Sequence, residues 1–83
     1  MLEMKALDKS RKAIVITDDC DDSAMLFSYD TFICKLVSGQ LVQVSDYWDY
    51  SRTTMKHLKM FIDEYARFNY VDKKEFEKRI EEL

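Results

Sequence analysis

The sequence predicts a small α+β domain: an antiparallel sheet of three to four strands in a meander, followed by two α-helices packed on one face. Three observations carry this expectation. Apolar and β-branched runs separated by turn residues fill positions 12–45. After Tyr50 the apolar residues recur every three or four positions instead of every two. Each half of the C-terminal stretch opens on a residue suited to cap a helix.

Each element has its own warrant. Residues 1–10 show no clear period and are expected as a short N-terminal arm or a turn of helix. Ala13-Ile14-Val15-Ile16-Thr17 is β-branched and apolar, a first strand, and the loop-forming Asp18-Asp19-Cys20-Asp21-Asp22-Ser23 ends it. Ala24–Ser28 and Thr31–Val37 read as two further strands. Ser28-Tyr29-Asp30 between them is either a tight turn or a bulge within one long bent strand, because it lacks the Gly or Asn that two-residue turns favour. Ser38-Gly39 holds the single glycine and predicts a hairpin into Gln40–Val44.

Helix one is expected over 51–68. Ser51 suits its N-cap, Tyr50 and Met55 fit a hydrophobic staple, and Met55, Leu58, Phe61, Ile62 and Tyr65 form one apolar stripe. Asn69 can take the left-handed conformation that ends such a helix. Helix two is expected over 72–83, with Asp72 and Glu75 as a capping box and Val71 stapling to Phe76. Residues 1–83 thus read as one domain without a linker.

Composition narrows the function. The formal net charge is −3, which weighs against a general nucleic-acid binder. Cys20 and Cys34 are too few for a disulfide framework, and with one His they leave a zinc set unclosed, so neither metal nor cofactor is expected. Free thiols, no span-length apolar run and no signal-peptide core together predict a cytoplasmic protein that does not enter a membrane.

No GxSxG, HExxH, P-loop or GxGxxG pattern occurs. A Ser-His-Asp arrangement around His57 would need an Asp from the sheet, and nothing in the sequence points to one. The protein is expected not to be an enzyme. Two stretches are candidates for binding. Trp48, Tyr50, Arg52, Thr53, Lys56 and His57 combine aromatics, cations and hydroxyls at a helix start, where an anion or an interface can be served. Tyr47 belongs to the same aromatic run. Asp18, Asp19, Asp21 and Asp22 can occupy a basic groove on a partner.

Tyr50-Ser51-Arg52-Thr53-Thr54-Met55-Lys56-His57, with Ser28-Tyr29-Asp30-Thr31 and the Ser38-Gly39 hairpin, resembles a family of short uncharacterised proteins from bacteriophages and mobile elements. Those proteins carry a YSxTTxKH helix start after an SY-x-T strand and a short hairpin. The resemblance covers residues 26–65. It implies a setting and no mechanism. The expectation is therefore a non-enzymatic protein that binds and modulates a host protein, for example a CRISPR nuclease or another defence component. An accessory nucleic-acid binder using residues 47–59 and a structural homo-oligomer are the alternatives.

Overall fold

The computed structural model describes all 83 residues. Five antiparallel strands form one sheet in sequence order: β1 (Leu2–Ala6), β2 (Ala13–Asp18), β3 (Ser23–Ser28), β4 (Thr31–Val37) and β5 (Gln40–Val44). Two helices follow, α1 (Arg52–Tyr65) and α2 (Lys73–Glu81). The α+β class is as expected, but the sheet has five strands rather than three to four. The additional strand is β1, from residues expected as an arm or a turn of helix. Leu2, Met4 and Ala6 alternate with Glu3 and Lys5, a short period-two signal within a stretch read as having no period, although most of these side chains are exposed. Backbone pairing with β2, from Leu2 opposite Asp18 to Ala6 opposite Ile14, holds it as an edge strand.

Residues 24–37 are two strands. Tyr29 and Asp30 both have positive φ, 51° and 64°, the mirror-image geometry that joins twisted strands tightly. Neither is Gly or Asn. Docking holds the turn in place: the Tyr29 N–H donates to the Lys12 carbonyl at 2.8 Å. A bulge does occur nearby, where the β3–β4 register shifts and buries Ile33 beside Cys34. Gly39 (φ 79°) closes the next hairpin as expected, and the Arg67 side chain lies where a Cβ would stand.

Ser51 caps α1, accepting from the Thr54 N–H at 3.1 Å. The expected staple is absent: Tyr50 is 77% exposed and instead meets Tyr47 edge to face at 6.4 Å. Asp72 caps α2 through the Glu75 N–H at 2.8 Å. The Glu75 carboxylate does not close the box; it accepts from Arg79 at 3.2 Å. Val71 is exposed, and Phe76 packs on Trp48 and Tyr70. Asn69 is not left-handed, because α1 ends at Ala66 in extended conformation.

One face of the sheet and the two helices enclose the core. Ala13, Val15, Ala24, Leu26, Cys34, Leu36 and Leu41 meet Leu58, Phe61 and Ile62 of α1, while Phe76 of α2 and Trp48 close one side. Phe76 is fully buried, so Phe76→Ala should cost about 3–5 kcal/mol. Urea titration should show the lowered midpoint, with a red shift in emission from Trp48, the sole tryptophan and a direct ring neighbour.

Candidate functional site

The β3–β4 turn, the segment after β5 and the N-terminus of α1 converge on one cleft of about 640 Å³. It is lined by Ser28, Tyr29, Thr31 and Ile33 from the sheet and by Tyr47, Tyr50, Ser51 and Thr54 from the loop and helix. All but Ile33 carry a hydroxyl. Ser45 positions the loop: its hydroxyl donates to the Phe32 carbonyl at 2.6 Å, and its oxygen accepts the Tyr47 N–H at 3.3 Å. Tyr29, Tyr47 and Tyr50 remain exposed around the rim.

Beneath the cleft lies a polar relay, buried at Ser28 and His57 and partly exposed at Asp8. The Ser28 hydroxyl is 2.9 Å from His57 Nδ1, and His57 Nε2 is 3.2 Å from Asp8 Oδ2. Asp8 sits between β1 and β2. Its Oδ1 accepts the N–H groups of Lys12 and Ala13, and its Oδ2 also accepts the Ser10 hydroxyl at 2.6 Å. The Ser10 hydroxyl, the Ala13 N–H and the neighbouring His57 pull the Asp8 carboxyl down to about 2 against the opposing pull of desolvation. An ionised Asp8 only accepts, so Nε2 donates to it; in the neutral ring Nδ1 then accepts the Ser28 proton. The Tyr29 ring lies against His57, with centroids 5.9 Å apart.

The structure therefore does unite Ser, His and Asp around His57, contrary to the reading of the sequence. The Asp comes from the β1–β2 loop and the Ser from the end of β3. Ser51, six residues before His57, takes no part and caps the helix. Asp8 with Ser10 was the available signal, since Asp-x-Ser favours a local turn that collects backbone N–H groups.

The expected binding residues separate. Tyr50, Arg52, Thr53 and Lys56 are exposed around the cleft end of α1. Trp48 and His57 are not part of that surface. Trp48 turns inward onto Phe76, with ring centroids 5.1 Å apart, and His57 is 3% exposed. On a helix, His57 lies one turn beyond Thr54 on the buried stripe, whereas Arg52, Thr53 and Lys56 face outward.

The acidic loop lies at the other end of β3, about 17 Å away along the strand. Asp19, Asp21 and Asp22 are exposed. Asp18 bonds the Cys20 N–H at 3.0 Å, which lowers its carboxyl, and it also faces the Met1 amino group at 3.8 Å. Asp19 pairs with that same amino group. Cys20 is exposed, while Cys34 is buried and burial pushes its thiol up. No helix is long and apolar enough to cross a membrane.

The depressed carboxyl of Asp8 stabilises the fold fully above its ordinary value near 3.8, and that contribution is lost as pH falls through about 2. Asp8→Asn should cost about 2 kcal/mol at pH 6, the scale of hydrogen bonds to a charged group. Urea titrations of both proteins from pH 6 to pH 2 should show the gap closing at the acid end.

No curated protein and no solved structure matches the chain. Residues 2–78 match a family described as a family of unknown function, DUF8033. That match spans both ends of the relay, the cleft and most of α2, so the chain belongs to this family of unknown function.

Proposed function

We propose that this is a non-enzymatic binding domain that engages another protein through the tyrosine-rimmed cleft. The carrying observation is the chemistry of its lining: exposed Tyr29, Tyr47 and Tyr50 surround the half-buried hydroxyls of Thr31 and Ser51, with the buried Ser28 and Thr54 at its floor. Tyr offers a large, rigid contact area at low entropic cost, and Ser and Thr supply adaptable hydrogen bonds, the combination that antibody loops use against proteins. No Lys or Arg lines the cleft, which favours a protein over a nucleic acid. Arg52 and Lys56 are exposed on the outward side of α1, where their charge can steer a partner.

The phage or mobile-element setting implied by the sequence resemblance gives this binding a purpose. The partner is then a host protein, for example a defence nuclease, whose activity changes when the cleft is occupied. Two of the three segments quoted for that resemblance, 28–31 and 50–57, contribute to the cleft or to the relay beneath it; the Ser38-Gly39 hairpin does not. The relay supports a non-catalytic reading as well. Ser28 is 2% exposed, and its hydroxyl is committed to a His that is itself enclosed.

Affinity capture from host lysate at moderate salt should retain a partner on the wild-type protein. Tyr50→Ala and Tyr47→Ala should each weaken that capture by about tenfold, the scale of an interface anchor, with an unchanged thermal melt. Equal capture by both variants would move the contact elsewhere. Labelling of Ser28 by a fluorophosphonate probe would overturn the non-enzymatic reading.

A further inference from the structure

We propose that two copies of this chain pair face to face through the sheet surface that the helices leave open. The strand register puts Met4, Ile14, Ile16, Met25, Phe27 and Phe32 on one face, opposite the core. None of them belongs to the core cluster or packs against it. They nevertheless form unbroken apolar rows. Met4, Ile16 and Met25 adjoin across three strands, and Ile14, Phe27 and Phe32 across the next row. The rings of Phe27 and Phe32 meet edge to face at 5.7 Å. A sheet with one face on a core and one in water ordinarily alternates apolar and polar residues; this one is apolar on both faces.

Size and charge select a second copy as the occupant. Five strands of five to seven residues cover about 24 Å by 20 Å, so two copies bury on the order of 1,000 Å², the threshold for a specific interface. Each chain carries −3, so like copies can approach closely only through a surface nearly free of charge. The charges on this face are Lys35 on β4, level with Met25 and Ile16 and 4.0 Å from Asp21 of its own chain, and Asp18 at the end of β2. A two-fold axis along β3 lays β4 of one copy over β2 of its partner. Each Lys35 then lies over the strand that ends in Asp18, and the contact is reciprocal. The layers stack as in a β-sandwich, and both clefts stay open on the outer sides.

Sedimentation equilibrium of the full chain tests this. From low micromolar to several hundred micromolar, the wild-type mass should rise from 10.0 kDa to twice that value. Phe27→Glu should stay at the single-chain mass with an unchanged circular dichroism spectrum. Should Phe27→Glu fail to fold, Lys35→Glu, which puts an anion over the partner strand that ends in Asp18, should weaken dimerisation by about tenfold. Thr53→Ala, on the helix side, should dimerise as wild type does. A wild-type mass of 10.0 kDa at every concentration would overturn the proposal, as would undiminished assembly of a folded Phe27→Glu or of Lys35→Glu. So would a monomer that floats with phosphatidylglycerol vesicles, which would assign the face to a lipid surface.

Discussion

His57 is a buried imidazole, and both of its ring nitrogens have to be satisfied without water. That requirement decides where three distant segments meet. One nitrogen takes Ser28 from the end of β3, the other takes Asp8 from the β1–β2 loop, and the ring itself belongs to α1. Asp8 in turn gathers two backbone N–H groups and the Ser10 hydroxyl, which gives the loop its shape. The relay therefore ties the first loop of the chain to a helix more than forty residues later. It also holds the Tyr29–Asp30 turn against that helix, which sets one wall of the cleft. Removing Ser28 or Asp8 leaves a ring nitrogen of the buried His57 unpaired, a larger cost than either of these hydrogen bonds contributes by itself.

Local signals in the sequence are strong where the physics is local. Ser51 and Asp72 cap their helices because a short oxygen acceptor before a helical run meets orphan N–H groups within three residues. Gly39 turns its hairpin because positive φ costs Gly little. The stripe of Leu58, Phe61 and Ile62 faces the sheet because the 3.6-residue period leaves no other arrangement. Long-range relations were not legible. The alternation of Leu2, Met4 and Ala6 with Glu3 and Lys5 is a local strand signal, but it does not say that β2 is the strand that gives β1 its ladder. The α2 staple gives way to the larger partners that Phe76 finds in Trp48 and Tyr70, and the α1 staple to the contact of Tyr50 with Tyr47.

The candidate site was half legible for the same reason. Tyr50, Arg52, Thr53 and Lys56 stand out as polar or aromatic residues at a helix start; all four are exposed, and Tyr50 lines the cleft. Trp48 and His57 carry the same chemical promise but sit on the inward side, and nothing in the segment itself reveals which way the loop before the helix turns. Asp8 and Ser28 look ordinary in sequence. Only the pairing of β2 with β3, which puts Ala13 opposite Ser28, brings the loop and the turn to the same end of the sheet.

The two cysteines differ in a way that is useful at the bench. Cys34 lies sealed inside the core with its thiol held protonated, whereas Cys20 stands in water on the acidic loop. A thiol-directed dye or spin label added to the native protein is thereby confined to one position without mutagenesis. That position is at the far end of β3 from the tyrosine rim, outside the hydrophobic interior. Distance measurements from such a tag can follow an incoming molecule while leaving the groups that would receive it chemically untouched.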